Sequence, residues 1–414
     1  MTLSEELQWR GFVNQTTLKA TTDLDDKPLT FYWGVDPSAP SMTIGNLAAG
    51  MMVRHFIEHG HKAVLLVGGA TGMIGDPDGK AEERTLLSVE ELERNKKAIA
   101  GQYKSVFGGQ EFKLVDNYDW FKGMGYLGFL RDVGKHVPMR QMLGRDFVQK
   151  RLAEDGPGIS YAEFSYVLIQ AYDFLYMNRE MGVSLQVCGS DQWGNCIAGV
   201  DLIRRISGKE AHVWSAPLVI NKTTGQKFGK TEDGAVWLDE KLTSVYKFYQ
   251  FWLNVDDEGV EDYLRVYTML SKTEIEHVMT EFKQKPEGRL AQKRLAYEVT
   301  KLVHGELRAD SVRRITEVLF GGQDYTTLST ADFELMEKDL PHVHMNREED
   351  LLIALTKSGL ASSNSEARRF LEQGAVYLNG QQQTSEKINH TDTLAGGHMI
   401  LRRGKNSNAI LKVG

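Results

Sequence analysis

Apolar runs alternate with amphipathic helical patterns along the first half of the chain. Three of the runs end in a polar loop that contains glycine, and a helical pattern follows each loop. They read LTFYWGVDPSAPSMTIGN, AVLLVGGATGMIGD and VSLQVCGSDQWGN. Strands that alternate with helices predict βαβ units and a parallel sheet, so residues 1–241 are expected to form an α/β domain. Such sheets bind ligands outside the carboxyl ends of their strands, where the three loops would meet.

The pattern becomes helical after residue 241. SVYKFYQFWL and LAQKRLAYEVTKLVHGEL repeat apolar residues at helical spacing, which predicts a helical domain over residues 242–319. Residues 320–347 contain GGQ, TTLST and a proline and are expected to form a linker. Two short helical patterns and a strand that ends in Asn-Gly follow, so residues 348–414 are predicted to form a small α+β domain.

Composition is that of a globular protein with more than one domain. The chain has 414 residues, of which 41% are hydrophobic and 25% charged, and this length exceeds what one core usually serves. The N-terminus lacks a basic start followed by an apolar run, and no stretch approaches a membrane span. The two cysteines, Cys188 and Cys196, have no metal-ligand company. A reducing compartment is therefore expected, with the cytoplasm as the default and no membrane partner.

Charge is distributed unevenly along the chain. Residues 365–414 contain seven Lys or Arg against four acids, a balance of +3, whereas the whole chain carries −7 and the first 364 residues therefore −10. The asymmetry predicts a C-terminal module that contacts a polyanion while the larger body has another task.

Two segments have the chemistry of phosphate binding, although each is a weak signal alone. GVDPSAPSMTIGN ends where a helix begins, so backbone N–H groups and the positive helix terminus would face the crevice. KFGKT at 227–231 has two lysines around a glycine, which suits phosphate charge. A packing turn and a solvated surface are the ordinary interpretations of such segments.

A polar stripe runs along one predicted helix. FSYVLIQAYDF spaces Tyr166, Gln170 and Asp173 by four and three residues, which puts them on one helix face. A satisfied buried network is one interpretation of this stripe. Three polar groups that converge on one pocket more often mark a ligand site.

Five segments, taken in order, resemble the tyrosyl-tRNA synthetase family, which belongs to the class I aminoacyl-tRNA synthetases. They are YWGVDPSAPSMTIGN (32–46), GGATGMIGDPDGKAEER (68–84), FSYVLIQAYDF (164–174), GSDQWGN (189–195) and KFGKT (227–231). The resemblance extends from about residue 7 to residue 405. It implies a Rossmann-like catalytic domain with a helical dimer insertion, a helical anticodon-binding-type domain and an S4-like RNA-binding domain. The partners it implies are ATP with Mg²⁺, L-tyrosine, tRNA(Tyr) and a second copy of the chain, with no tightly bound protein metal site.

The resemblance also implies residue roles. Tyrosine would be bound by Tyr32 and Asp173 at the phenol, by Tyr166, Asp76 and Gln170 at the ammonium group, and by Gln192 near the carboxylate. ATP would be bound by Asp36, Ser38, Gly45, Gly189, Asp191 and Lys230. The catalytic residues would be Thr43, Asn46, Lys80, Arg84, Lys227, Lys230 and Thr231, the last five at the leaving pyrophosphate. No general base is needed, because the tyrosine carboxylate attacks the α-phosphorus in line and catalysis is positioning plus charge stabilisation.

The chain departs from the family at several positions. The His-Ile-Gly-His run is replaced by Thr43-Ile44-Gly45-Asn46, which keeps hydrogen-bonding capacity but loses possible positive charge. Trp33 stands for a small residue and Cys188 for a glycine. A divergent active enzyme is favoured over an RNA-binding paralogue with weak or no tyrosine activation. A third hypothesis is an enzyme that passes activated tyrosine to an acceptor other than tRNA.

The C-terminal segment SGLASSNSEARRFLEQGAVYLNG resembles the S4 RNA-binding domain. The tRNA-binding candidates are Arg368, Arg369, Arg402, Arg403 and Lys405, which would contact phosphates and shape more than base edges. Tyr161 matches the dimer-contact position of the family, although an ordinary buried aromatic is an equal alternative. The expected location is a bacterial cytoplasm.

Overall fold

The computed structural model describes residues 1–77, 86–231, 234–346, 349–389 and 392–414. It divides into a first compact unit, residues 1–239 and 256–291, and a second compact unit, residues 240–255 and 292–414. The helices are α1 (Leu3–Arg10), α2 (Ile44–Glu58), α3 (Gly69–Ile74), α4 (Val89–Val106), α5 (Tyr118–Phe121), α6 (Tyr126–Asp132), α7 (Met139–Leu143), α8 (Asp146–Leu152), α9 (Tyr161–Met181), α10 (Trp193–Ser207), α11 (Val245–Leu253), α12 (Val260–Tyr267), α13 (Lys272–Gln284), α14 (Leu290–His304), α15 (Glu306–Gly321), α16 (Thr330–Met336), α17 (Leu351–Lys357) and α18 (Asn364–Glu372). The strands are β1 (Gln15–Thr16), β2 (Thr30–Val35), β3 (Lys62–Val67), β4 (Phe112–Asp116), β5 (Leu185–Gly189), β6 (His212–Ala216), β7 (Lys230–Thr231), β8 (Gly234–Ala235), β9 (His342–Met345), β10 (Val376–Leu378), β11 (Gln381–Gln382), β12 (His398–Arg403) and β13 (Ser407–Val413).

A six-stranded sheet forms the centre of the first unit. Its strand order is β1-β6-β5-β2-β3-β4, in which β1 is antiparallel and the other five strands are parallel. Residues of β3 and β5 are buried almost without interruption, as expected of parallel strands covered on both faces. The predicted α/β architecture with βαβ units is confirmed.

Helix α9, which carries the polar stripe, begins and ends at strong local signals. The hydroxyl of Ser160, the N-cap residue, accepts a hydrogen bond from the backbone N–H of Glu163. The Glu163 carboxylate in turn accepts one from the backbone N–H of Ser160. This capping box satisfies two otherwise unpaired N–H groups. The helix ends at Gly182 with φ 68°, a left-handed conformation that glycine adopts at little cost. The stripe is thereby held on a helix of 21 residues.

The second unit contains a five-stranded sheet of order β11-β10-β12-β13-β9. Residues of this sheet and of α17 and α18 form one hydrophobic core. Residues 320–347, predicted as a linker, contain α16 and β9, and β9 pairs in parallel with β13. Local turn signals could not reveal this pairing, because its partner lies some 70 residues further along the chain. The predicted helical stretch is also divided, since α12 and α13 belong to the first unit. The domain boundaries remain a prediction.

Among the described residues, none of the helices has the length and apolar character needed to cross a bilayer.

Candidate active site

The loops after β2, β3 and β5 meet at one edge of the parallel sheet, as the sequence predicts. Strands β2 and β5 are neighbours although β3 follows β2 in the chain, so the topology switches direction between them. A cleft of about 310 Å³ opens at this point, where open parallel sheets bind their ligands. The predicted site residues that line it are Tyr32, Asp36, Ser38, Thr43, Gly45, Asn46, Asp76, Tyr166, Gln170, Asp173, Gly189, Asp191, Gln192 and Lys227.

The hydroxyl of Tyr32 is buried without a partner. Tyr32 lies on β2 and is 2% exposed, and its hydroxyl makes no hydrogen bond within the described residues. Burial raises its pKa well above the ordinary value, so the phenol stays neutral. A buried polar group without a partner costs about 1–3 kcal/mol. A ligand that offered a polar group here would remove that cost.

Asp173 lies on α9 within electrostatic reach of Tyr32 and is equally buried. Its Oδ1 accepts a hydrogen bond from Trp120 Nε1 at 2.9 Å and its Oδ2 one from Asn117 Nδ2 at 3.0 Å. Burial raises the pKa of Asp173 to about 8, although these two hydrogen bonds act in the opposite direction. Asp173 is therefore a buried carboxyl with a raised pKa that already accepts two hydrogen bonds.

Asp36 joins two parts of the predicted site that the family resemblance keeps separate. Tyr166 donates its hydroxyl to Asp36 Oδ2 at 2.7 Å, and Thr71 donates to Oδ1 at 2.6 Å. Asp36, which is predicted to bind adenosine, is thus hydrogen bonded to Tyr166, which is predicted to bind the substrate ammonium. Gly68 permits this arrangement, because a Cβ there would lie 2.1 Å from Asp36 Oδ1.

A cluster of amides forms another wall of the cleft. Gln192 donates from Nε2 to Asp76 Oδ2 at 2.5 Å, and its Oε1 accepts from Gln170 Nε2 at 3.4 Å and from Asn195 Nδ2 at 3.1 Å. The Oε1 of Gln170 is buried and has no hydrogen-bond partner among the described residues. Two acceptors, the Asp76 carboxylate and this carbonyl oxygen, thus line the cleft, and both suit a cationic group.

Thr43 and Asn46 cap the start of α2. The Oδ1 atom of Asn46 accepts hydrogen bonds from the backbone N–H of Thr43 at 2.9 Å and from its hydroxyl at 3.0 Å. Because the carbonyl oxygen is used in the cap, the amide N–H groups of Asn46 are what it can offer to a ligand. Donors at a positive helix terminus suit a phosphate. The pair therefore retains the donor function but adds no positive charge.

Lys227 and Asp191 form an ion pair across the mouth of the cleft, with Nζ 3.3 Å from Oδ2 and both side chains nearly half exposed. An exposed pair of this kind contributes little to stability, about 1 kcal/mol or less, so either partner can exchange it for a ligand at small cost.

The segment that follows KFGKT, residues 236–238, is hydrogen bonded to the residues at the start of α2. The N–H of Ile44 donates to Val236 O at 3.1 Å, and Leu238 donates to Met42 O at 2.9 Å. Lys230 and Thr231 form β7, and only their backbone is described. Lys80 and Arg84 lie outside the described residues. Within the described residues no group of three or more His, Cys, Asp or Glu side chains is arranged to hold a metal ion.

The two bulky departures, Trp33 and Cys188, are accommodated by their neighbours. The Trp33 ring packs against Tyr103 and Phe107, with ring centroids 5.4 and 6.1 Å apart, so it joins the core between β2 and α4. Cys188 is buried in a small cluster with Cys196. Both residues also line the cleft, which is open.

Comparison with known proteins gives matches over most of the chain. A family profile described as "tRNA synthetases class I (W and Y)" matches residues 24–321, and one described as "Tyrosine--tRNA ligase SYY-like C-terminal domain" matches residues 332–411. The tyrosine–tRNA ligase of Geobacillus stearothermophilus is 44% identical over 422 aligned residues, which span 100% of both chains. That of Staphylococcus haemolyticus is 43% identical over 97% of both chains. The chain belongs to the bacterial-type tyrosyl-tRNA synthetases of class I.

Solved structures agree with this family. A C-terminally truncated mitochondrial tyrosyl-tRNA synthetase from Aspergillus nidulans is 32% identical, with a TM-score of 0.70 over 77% of this chain and 94% of its own. The tyrosyl-tRNA synthetase of Archaeoglobus fulgidus, solved with L-tyrosine, is 15% identical with a TM-score of 0.52 over 75% of this chain. At that identity the likeness concerns the fold alone.

The helical insertion of this synthetase, α5 to α8, exposes aromatic and aliphatic side chains. Tyr161, at the start of α9, is 61% exposed, so it is not the buried aromatic of the alternative interpretation. Its hydroxyl is hydrogen bonded to that of Tyr126. Leu127, Met139 and Leu152 are exposed on the same insertion. Exposed apolar side chains concentrated in one segment are typical of an interaction surface.

The basic residues of the C-terminal sheet region differ in how they are engaged. Arg403 donates to Leu360 O at 2.8 Å and so has a structural contact. The Arg402 guanidinium lies 4.1 Å from the centre of the Tyr377 ring. Arg368 and Arg369 form exposed ion pairs on α18, and Lys405 is exposed in the turn between β12 and β13. Arg368, Arg369 and Lys405 are therefore exposed, whereas Arg402 and Arg403 are partly buried.

Sequence analysis missed several residues that hold the predicted ones. Asn117 and Trp120 follow β4 and hydrogen bond to Asp173, and Asn117 also donates to Thr71 at 3.1 Å. The signal was present, because Asn117 follows an apolar strand and so lies at the same carboxyl edge as the other loops. No comparable signal identifies Asn195.

Proposed function

We propose that this enzyme is a tyrosine–tRNA ligase. It activates L-tyrosine with ATP to tyrosyl-adenylate and pyrophosphate, and then transfers tyrosine to the 3′ end of tRNA(Tyr). The observation that carries this proposal is the buried hydroxyl of Tyr32, which has no hydrogen-bond partner in the described part of the chain, beside the buried carboxyl of Asp173. A phenol completes this pair, because it can accept from the Tyr32 hydroxyl and donate to an ionised Asp173.

Phenylalanine would leave the same atoms unpaired. Its ring has the shape of tyrosine but no hydroxyl, so the Tyr32 hydroxyl would gain no partner and Asp173 would keep only its hydrogen bonds from Asn117 and Trp120. The cleft thereby discriminates between the two amino acids by the cost of unpaired polar groups. The acceptors of Asp76 and Gln170 would receive the substrate ammonium, with Tyr166 beside them and Gln192 close to the carboxylate.

The nucleotide lies against α2 and the loop after β5. Asp36, Ser38, Gly45, Gly189, Asp191 and Lys230 are proposed to contact ATP. Thr43 and Asn46 would face the phosphates, and Lys80, Arg84, Lys227, Lys230 and Thr231 would stabilise the charge that develops on the leaving pyrophosphate. Mg²⁺ enters with ATP and is bound through phosphate oxygens, as is usual for this ion in nucleotide sites.

The acceptor and the assembly state complete the proposal. The exposed residues Arg368, Arg369 and Lys405 and the partly buried Arg402 would contact tRNA phosphates, with Arg403 supporting them from its structural contact. The exposed insertion around Tyr161 and Tyr126 would form the homodimer contact. The three domains foreseen in the sequence and a cytoplasmic location belong to the same proposal.

Isotope exchange between ATP and pyrophosphate tests the activation step. With ATP and Mg²⁺, the full-length protein is expected to exchange label between pyrophosphate and ATP when L-tyrosine is present, and not when L-phenylalanine replaces it. Folded protein that gives no tyrosine-dependent exchange would show that the first half of the proposal is wrong. Such a result would favour the RNA-binding paralogue.

Charging of bacterial tRNA tests the second step separately. The double variant Arg402→Gln/Lys405→Gln should raise the tRNA KM in aminoacylation and leave the exchange reaction unchanged, since both residues lie in the second unit. Its effect should weaken as salt rises, because phosphate contacts are screened. Unchanged charging at low salt would contradict the RNA role of this surface.

A further inference from the structure

A guanidinium from the helical insertion reaches the amide cluster of the active site. Arg145, the N-cap residue of α8, donates from Nη1 to Asn195 Oδ1 at 2.6 Å. Asn195 is 1% exposed and donates in turn from Nδ2 to Gln192 Oε1 at 3.1 Å. Gln192 then donates from Nε2 to Asp76. The chain of hydrogen bonds leads from the insertion to a carboxylate of the cleft.

The direction of this chain follows from the first donor. A guanidinium can donate but cannot accept, so it can bind only the carbonyl oxygen of Asn195. The amide nitrogen of Asn195 must then point to Gln192, and only the carbonyl oxygen of Gln192 can receive it. The Gln192 nitrogen is thereby directed to Asp76. Without the guanidinium, the Asn195 amide could rotate by half a turn, and the Gln192 amide would be oriented by Asp76 and Gln170 alone.

The local backbone is adapted to this contact. Gly194 lies in the first turn of α10, and a Cβ there would be 2.9 Å from Arg145 Nη2. The absence of a side chain lets the guanidinium lie against the helix. The centre of the Phe147 ring lies 4.8 Å from the guanidinium carbon, a typical cation–π distance.

We propose that Arg145 is a positioning residue for the amino-acid substrate, which acts through Asn195 to hold the Gln192 amide in the orientation that donates to Asp76. This inference rests on the proposed function and names a residue beyond it. A flipped Gln192 would direct its oxygen to the Asp76 carboxylate, and both groups would then lose a hydrogen bond next to the substrate ammonium. Arg145 thus links the helical insertion to tyrosine binding.

The competing explanation is a purely structural clasp, in which the Arg145–Asn195 hydrogen bond only holds the insertion against α10. The variant Asn195→Asp distinguishes this structural role from the positioning role. The new carboxylate keeps and strengthens the contact with Arg145, since a charged pair replaces a charged–neutral one. It can no longer donate to Gln192, however. A clasp would tolerate this change, whereas the positioning role would be lost.

The experiment compares KM and kcat for tyrosine in ATP–pyrophosphate exchange, together with the thermal midpoint and the sedimentation coefficient of each variant. Arg145→Met and Asn195→Asp are each expected to raise the tyrosine KM roughly five- to tenfold, the loss of about one buried hydrogen bond, with the ATP KM unchanged. Arg145→Lys should restore most of the affinity, because an ammonium also only donates. Arg140→Met, an exposed arginine of α7, is the matched control and should behave as wild type.

A double-mutant cycle completes the test. If Arg145 acts through Asn195, adding Arg145→Met to Asn195→Ala should not raise the tyrosine KM further. Additive effects, or an Asn195→Asp variant with wild-type KM, would overturn the inference and leave a structural clasp. Absence of exchange in the wild-type enzyme would instead refute the proposed function, so the two failures are distinguishable.

Discussion

Removal of one oxygen atom, by Tyr32→Phe, is expected to weaken substrate binding and stabilise the fold at the same time. The Tyr32 hydroxyl is buried and makes no hydrogen bond with the described residues. Its deletion removes an unsatisfied group, and the free energy of unfolding should rise by about 1 kcal/mol, the lower end of the penalty for such groups. The phenol of bound tyrosine would lose one hydrogen bond of about 0.5–1.5 kcal/mol, which corresponds to a roughly two- to thirteenfold increase in Kd.

Tyr103→Phe is the matched control. Tyr103 is as buried as Tyr32, but its hydroxyl already donates to Leu66 O at 3.0 Å. This variant should lose about 1 kcal/mol of stability because it breaks an existing hydrogen bond, and tyrosine binding should not change. The two variants delete the same atom type from similar surroundings, so opposite signs isolate the effect of the missing partner.

Denaturant unfolding gives the stability difference, and equilibrium dialysis with labelled tyrosine gives Kd. Both measurements use the ligand-free enzyme as their starting state. The reasoning would be refuted if Tyr32→Phe destabilised the protein by as much as Tyr103→Phe, or if the Kd for tyrosine stayed the same. Phenylalanine, which lacks the hydroxyl, should bind both variants and the wild type with equal weakness.

Three further predictions concern the charges of the first unit. Burial raises the pKa of Asp173 to about 8, so the carboxyl is mostly protonated below that pH. The tyrosine KM in exchange assays should fall as pH rises from 6.5 to 8, because the ionised carboxylate accepts the phenol hydrogen bond. Asp173→Asn should flatten this pH dependence. Arg151 forms a buried ion pair with Glu163 at 2.8 Å, so Arg151→Met should cost about 3–5 kcal/mol in denaturant unfolding, and a loss below 1 kcal/mol would contradict the assignment. Lys227→Met should leave the thermal midpoint nearly unchanged, because the ion pair of Lys227 is exposed. The same variant should lower kcat for exchange roughly a hundredfold. An unchanged kcat would show that Lys227 takes no part in the reaction.

Local sequence patterns determined the elements of the site and much of its membership. The apolar runs of β2, β3 and β5, each followed by glycine and a helical pattern, predict parallel strands whose loops meet, and the cleft lies at that edge. The three- and four-residue spacing on α9 likewise predicts a shared face for Tyr166, Gln170 and Asp173, and all three line the cleft. Such predictions succeed because strand and helix periodicity are local properties of the chain.

Tertiary structure alone decided how these residues are paired and charged. The hydrogen bond from Tyr166 to Asp36 joins residues 130 positions apart, and those from Asn117 and Trp120 to Asp173 span more than 50. The pKa of Asp173 follows from burial by all the surrounding elements together, which no local pattern encodes. The same holds for β9, which the sequence assigns to a linker and which becomes a strand through pairing with β13. Hydrogen bonds between distant residues and the burial of the site residues depend on the packed fold, because they form only when segments far apart in the sequence come together.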